Sequence, residues 1–274
     1  MRHPRKPSSP SSPTASSQER YVIPNLRNAC RILKLLGGST AGFKAADIGR
    51  QLKIPVTTTL RIMTTLHLEG LVRKNGAEFE LGPVLIQLGN ASLAGTEIRA
   101  LALPVLARLT GQIAETSHLA IPCESRSLIV AVENSPHPLR AASQPGFLAE
   151  LHCSSTGKIF LAFLQQDRLT ELYQGMRPAK RTPHTLTTFN EIRRDCERTR
   201  RRGYSLDDEE FNLGVRCLSA PVYSSDGTVV AAIGITAATV RFTKERIPEM
   251  AAAVMAAATE LSRLLGYAGA ATNH

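Results

Sequence analysis

FKAADIGRQLKIPVTTTLRIMTTLHLEGLVRKNGAEFEL, running from Phe43 to Leu81, decides how the first part of this chain folds. It holds two short helical patterns, a break at Lys53-Ile54-Pro55, and a hairpin. The first pattern covers about Lys44 to Leu52, with Ala45, Ile48 and Leu52 on one face. The second starts near Pro55, whose fixed φ suits a first helical turn. It is expected to bury Leu60, Ile62 or Met63, and Leu66, and to stop at Gly70. Leu71 to Lys74 and Glu78 to Leu81 flank Asn75-Gly76, a pair that accepts the positive φ of a tight hairpin turn. Upstream, Leu26, Ala29, Cys30, Ile32, Leu33 and Leu36 predict a helix over Asn25 to Leu36, ended by Gly37-Gly38. Three helices followed by a two-stranded wing make a winged helix-turn-helix. Thr57, Thr58, Thr59 and Arg61 open the third helix, and no acid follows until Glu69. Such a first turn fits the DNA major groove, where it meets base edges.

The charge distribution agrees. The 274-residue chain carries a net +10 and has an ordinary 43% hydrophobic content. Residues 1–83 hold 13 Lys and Arg against 5 Asp and Glu, and the remainder hold 20 against 18. The excess therefore sits on the N-terminal third, as on a phosphate-binding module joined to a nearly neutral body. A basic surface kept for solubility is the blander explanation, and the helix pattern weighs against it. The five cysteines are scattered, odd in number and without a CxxC pair, which points to a reducing compartment and a cytoplasmic location. No apolar run reaches the roughly 18 residues of a membrane span. The opening MRHPRKPSSPSSPTASSQER reads as a disordered basic tail, because Pro4, Pro7, Pro10 and Pro13 prevent the amphipathic helix of a transit peptide.

Past Pro83 the pattern suggests a helix to Gly95 that either links domains or forms a dimer contact. A longer helix is expected from Arg99 to Thr116, with Pro104 in its first turns. From residue 117 the period becomes that of strands, at His118 to Ile121 and Leu128 to Val132. Residues 154–165 read as a helix capped by Ser154. Thr188 and Glu191 have capping-box spacing for a helix that ends near Arg202 and stops at Gly203. Val215 to Tyr223 and Val229 to Thr236 are expected strands, and Thr243 is expected to cap a last helix to Leu265. This order predicts an α+β body with helices on the faces of a sheet.

Little catalytic chemistry is legible. Ser155-Thr156-Gly157-Lys158 lacks the Gly and the trailing Ser or Thr of a phosphate loop. No His spacing suits zinc, so neither metal nor cofactor is expected. The sharper enzyme alternative is a site at Cys217 or Asp207. Cys217 sits mid-strand among apolar residues with no local base, although His152 is a distant one. The run Asp207 to Glu210 reads as a solvated loop or as a carboxylate that holds a ligand. The arginines at 193, 194, 198, 200, 201 and 202 read as a solvated helix face, with a second nucleic-acid contact as the alternative.

Taken together, these residues resemble the IclR family of bacterial transcription regulators over about residues 21–266. The resemblance rests on NACRILKLLGG, AADIGRQLKIPVTTTLRIMTTLHLEGLV and FELGP in the first part. In the second it rests on LHCSSTGKIFLAFL, the stretch from TLTTFNEIRRDCERTRRRGYSLDDEEFNLGVRC to DGTVVAAIGIT, and the closing LLG. It implies a winged helix-turn-helix joined by a linker helix to a C-terminal effector-binding domain similar to GAF and PAS sensors. The expected boundaries are a tail over 1–20, a reader over 21–83, a linker over 84–98, a sensor over 99–267 and a flexible end over 268–274. The recognition helix becomes residues 55–69, with Thr57, Thr58, Thr59 and Arg61 at the bases and Lys44, Lys53, Arg73 and Lys74 at phosphates. The effector contacts become Ser155, Thr156, Asp207, Cys217, Gly234 and Thr236. The implied partners are a palindromic duplex operator, a small organic acid or aromatic effector, and a second or further copy of the chain, as dimer or tetramer. The chain departs from the family pattern at Val56, where many members have Lys, and at Glu150, where members usually have Pro. Ser155-Thr156 are also more polar than usual, so the effector's chemistry stays open.

Overall fold

The apolar positions of the opening segment close into one small core. Pro24 starts α1 (Pro24–Gly37), and Ile32 and Leu36 on its inner face meet α2 (Ala45–Leu52) and α3 (Val56–Leu68). Ile32, Leu36, Ile48, Ile54, Met63, Leu66 and Val72 are buried together, each contributing roughly 1.5–3 kcal/mol of apolar transfer. Both Ile62 and Met63 point inward, but Leu60, expected inside, is 47% exposed. The register of α3 puts Thr59 there instead.

The turn between α2 and α3 follows from its hydrogen bonds. Lys53 takes the left-handed conformation (φ 56°), and its N–H reaches Arg50 O while Ile54 N–H reaches Gly49 O, 2.8 Å. This closes α2 with a Schellman arrangement that seldom carries a lysine. A Cβ on Gly49 would lie 2.9 Å from Ile54 O and 3.1 Å from Thr59 Oγ1, so the close approach of the two helices requires glycine there. Strands β1 (Val72–Asn75) and β2 (Glu78–Leu81) pair antiparallel around Gly76 (φ 60°), and Phe43 adds a bridge to Phe79.

The structure is a computed structural model that describes residues 21–39, 41–94, 97–141, 143–165, 167–174 and 178–269. The expected tail over 1–20 and positions 270–274 of the expected flexible end lie outside them. The chain divides into two compact units, Met1–Ser92 and Leu93–His274. Helix α4 (Val84–Ala94) lies across that division and α5 (Glu97–Ile113) follows it. The long helix therefore begins earlier than expected, which makes Pro104 interior. It also ends earlier, because Ala114 turns left-handed (φ 57°) and Thr116 already belongs to a strand.

In the second unit, β3 (Thr116–Cys123), β4 (Arg126–Glu133), β5 (Leu148–Glu150), β6 (Ser205–Asp208), β7 (Val215–Tyr223) and β8 (Val229–Ala238) form one antiparallel sheet in the order β5-β4-β3-β8-β7-β6. One face packs on α5 and on α9 (Ile247–Leu264) through Leu106, Leu119, Leu218, Ile233 and Val254. The other packs on α6 (Ser155–Phe163) and α8 (Phe189–Arg202) through Ile129, Ile159, Phe160 and Ile192. The caps at Ser154 and Thr188 form as expected, the latter as a full capping box, and Gly203 ends α8 at φ 77°. Thr243 makes no side-chain cap, because a 3-10 turn over Lys244–Arg246 separates it from α9. Strands β5 and β6 and the short α7 (Leu169–Tyr173) had no sequence expectation. No helix among the described residues is long and apolar enough to cross a membrane.

Candidate nucleic-acid interface and effector site

Burial sorts the first turns of α3. Thr57 and Arg61 are exposed and Thr58 is half-buried. Thr59 is fully buried, and its Oγ1 donates to Pro55 O at 3.2 Å. Thr59 is therefore corrected from a base contact to a packing residue of the helix pair, in touch with Gly49. The hydroxyls of Thr64 and Thr65 donate to Leu60 O and Arg61 O within the helix. Lys44, Lys53 and Lys74 are exposed in the same unit. Arg73 is exposed but paired, its Nε 2.9 Å from Glu80 Oε2, so its positive charge is partly spent within the wing. Hydrogen bonds from Asn75 and Arg73 in turn hold the Glu80 carboxyl below its usual range.

The second unit gathers most of the expected effector residues through sheet register. One cross-strand row reads Asp207, Cys217, Thr236, Thr116, and the next reads Ser205, Ser219, Gly234, His118. Side chains two apart on a strand share a face, and this face meets the start of α6. Ser219 Oγ donates to Ser155 Oγ at 2.8 Å and Ser205 Oγ donates to Ser155 O at 2.6 Å. Cys217 Sγ and His118 Nδ1 each lie 3.4 Å from Thr236 Oγ1. Ser155, Cys217, Gly234 and Thr236 are thus brought together. Thr156 is taken by β4, since Ser127 Oγ donates to its Oγ1 at 2.7 Å. Asp207 is buried, and its Oδ1 accepts from Glu210 N (2.7 Å) and Phe211 N (3.1 Å). Its carboxyl shapes the turn after β6, which corrects the expectation that this run is a solvated loop. Burial pushes that carboxyl up to about 6.

Other residues of this unit were not among the expected effector contacts. His118 is buried, and burial depresses its imidazole to about 4, so the ring is neutral. The apolar strand around it and its alternation with Thr116 were the available signals. Lys158 is buried with its Nζ 3.0 Å from Asp195 Oδ2, 2.9 Å from Leu206 O and bonded to Glu210 Oε1. Glu150 faces Arg181 through two hydrogen bonds (3.1 and 2.9 Å) and Arg126 at 3.3 Å. Burial opposes ionisation there, yet Arg181 and Arg126 hold the carboxyl below its usual range, so its charge is already matched. Arg181 stacks on Phe211 at 3.9 Å. In the arginine run, Arg198 pairs with Asp195 while staying exposed, Arg200 donates to Ala162 O, and Arg202 donates to Tyr204 O; Arg193, Arg194 and Arg201 are exposed as well. A cleft of about 240 Å³ lined by Glu124, Ser125, Gln165, Arg168 and Leu172 contains none of the expected effector residues.

The same geometry disfavours nucleophilic chemistry. Enclosure of the sulfur and the Asp207 carboxylate push the Cys217 thiol well above its ordinary range, and the thiolate is the reactive form. His152 Nε2 donates to Ala179 O at 3.0 Å, so the histidine near Cys217, linked to it through Thr236, is His118.

His118 gives this unit a pH signature. Its folded value lies below the unfolded 6.5, so its stabilising share is complete above pH 6.5 and is lost as pH falls toward about 4. The full loss amounts to about 3 kcal/mol. Asp207 (about 6) and Glu210 (about 7) are raised by burial and act in the opposite direction. The difference between the parent and His118→Gln isolates the ring. Unfolding midpoints measured from pH 7.5 to 4.5 should converge for the two proteins as pH drops, and parallel curves would refute the neutral buried ring.

Comparison with known proteins follows the same division. Residues 26–76 match the family model described as the IclR helix-turn-helix domain. Residues 90–263 match the one described as bacterial transcriptional regulator IclR C-terminal. The chain is 30% identical over 251 residues to the transcriptional repressor IclR of Escherichia coli K12, covering 90% of this chain and 91% of that one. It is 31% identical over 239 residues to the HTH-type transcriptional regulator BhcR of Paracoccus denitrificans, covering 86% and 85%. The crystal structure of Thermotoga maritima IclR aligns with a TM-score of 0.67 at 28% identity, covering 88% and 98%.

Proposed function

This chain belongs to the IclR family of bacterial transcriptional regulators, and from that membership we propose which of its residues read DNA and which hold the effector. It is a transcriptional regulator with an N-terminal helix-turn-helix DNA-binding domain and a C-terminal effector-binding domain. The reader spans 21–83, the linker 84–98 and the sensor 99–267. Thr57, Thr58 and Arg61 contact base edges, and Lys44, Lys53 and Lys74 contact phosphates, with Arg73 a weaker phosphate contact because of Glu80. A small organic molecule is held by Ser155, Cys217, Gly234 and Thr236, joined by His118 and Ser219. Asp207 and Thr156 shape its walls. Two or four copies engage a palindromic operator, and exposed Ile86 and Leu88 on α4 support a contact between copies. Effector binding shifts the population of head placements through the linker, so spacing to half-sites changes. The protein acts in the cytoplasm without catalysis, in keeping with a neutral thiol at Cys217.

One observation carries the DNA reading: α3 presents Thr57 and Arg61 to solvent on a helix that holds no acid, in a unit where Lys44, Lys53 and Lys74 are also exposed. Arg61→Ala tests it. Loss of a good base contact is worth about 1–3 kcal/mol. The variant should therefore bind a selected operator about 10- to 100-fold more weakly while binding random duplex almost as before. Equal operator affinity for the two proteins would remove α3 from the interface.

A further inference from the structure

Two side chains on the same outward face are apolar. Val56 is 49% exposed and Leu60 47% exposed. They stand four residues apart, one helical turn, so they are neighbours on the surface. They flank Thr57 and Arg61, the residues assigned above to base edges. The helix is cationic, with Arg61 exposed and no acid between Val56 and Leu68, and Lys53 is exposed in the turn just before it. Charge complementarity therefore selects a polyanion as its occupant.

The edges of base pairs in the major groove offer hydrogen-bond donors, acceptors and one apolar group, the C5-methyl of thymine. An isopropyl or isobutyl group laid over a purine N7 or O6 would strip water from an acceptor and replace it with nothing. Laid over a thymine methyl, it removes apolar surface from water on both sides. We propose that Val56 and Leu60 select thymine within each operator half-site by packing on its C5-methyl group. The inference rests on the DNA-reading role of α3 and adds a base identity to it.

The methyl can be deleted from the DNA without touching the protein. Full-length protein first selects a duplex from a random-sequence library. That duplex is then remade with deoxyuridine at each thymine in turn. At one or two thymines per half-site the parent should lose about fourfold in affinity, the value of one buried methyl-sized carbon. Leu60→Ala or Val56→Ala should show no further loss at the matching thymine. Both side chains are exposed, so these variants keep the fold. A parent indifferent to every missing methyl, or a Val56→Ala/Leu60→Ala double variant that still senses it, overturns the assignment and leaves DNA reading intact. A protein that selects no sequence at all removes both.

Discussion

Replacing Lys158 with methionine is expected to destabilise the sensor by about 3–5 kcal/mol, the cost of stranding buried charge when its partner is removed. The lysine is 2% exposed and lies within bonding distance of Asp195 and Glu210. Burial pulls its ammonium toward neutrality, but these carboxylates outweigh that and hold its pKa above the ordinary value. Three acids, counting Asp207, surround one ammonium. Burial together with Asp207 and Asp195 accordingly pushes Glu210 up to about 7 despite the lysine. Glu210 Oε2 has no hydrogen-bond partner among the described residues, so the site has no reserve to absorb the loss. The triple replacement Lys158→Met, Asp195→Asn, Glu210→Gln should recover most of the stability, because it removes the orphaned charges along with the pair. Urea unfolding followed by tyrosine fluorescence suits the measurement. Four of the five tyrosines (173, 204, 223 and 267) lie in this unit and the chain has no tryptophan. A midpoint shift worth less than about 1 kcal/mol for Lys158→Met would contradict the buried-charge account.

The second large effect is expected at Gly234→Ala. An added Cβ would lie 2.2 Å from Ser219 Oγ, 2.6 Å from Leu218 O and 3.0 Å from His118 Nε2. The first of these can rotate away, but the carbonyl belongs to the neighbouring strand and cannot move without parting β7 from β8. Overpacking of this kind costs about 1–3 kcal/mol and sometimes more, and the backbone contact places this case at the upper end. Combining it with Ser219→Ala should restore part of the loss and no more, since the carbonyl remains. A Gly234→Ala protein as stable as the parent would show that the two strands are less tightly apposed than described.

What could be read from the sequence was what is fixed locally. The Asn75-Gly76 turn, the Thr188 and Glu191 capping box, Ser154 and the stop at Gly203 each depend on four or five consecutive residues, and each formed as expected. The Thr57-Thr58-Thr59 run could not be phased in the same way. Three identical residues do not say which of them faces inward, and the answer came from Gly49 in the preceding helix. The same ambiguity hid the exposure of Leu60. In the sensor, the cross-strand rows put Cys217 beside Thr236. The sequence around Lys158 does not show its ion pairs, because its carboxylates arrive much later in the chain, the second of them 52 residues on. His118 meets Thr236 across a separation of 118 residues, which no local pattern encodes. Short strands such as β5, three residues long, leave too little alternation to read.

The placement of β8 beside β3 bears on how the protein is made. The reader's elements are contiguous, so it can be complete soon after its last strand leaves the ribosome. The sheet centre cannot be: β3 ends at Cys123 and its partner begins at Val229. At about 5–20 residues per second, roughly a hundred residues take on the order of ten seconds to synthesise. Throughout that interval one border of β3 lacks its hydrogen-bonding mate and is open to misjoining with another nascent chain. The head is therefore ready for duplex while the body that governs it is still unfinished.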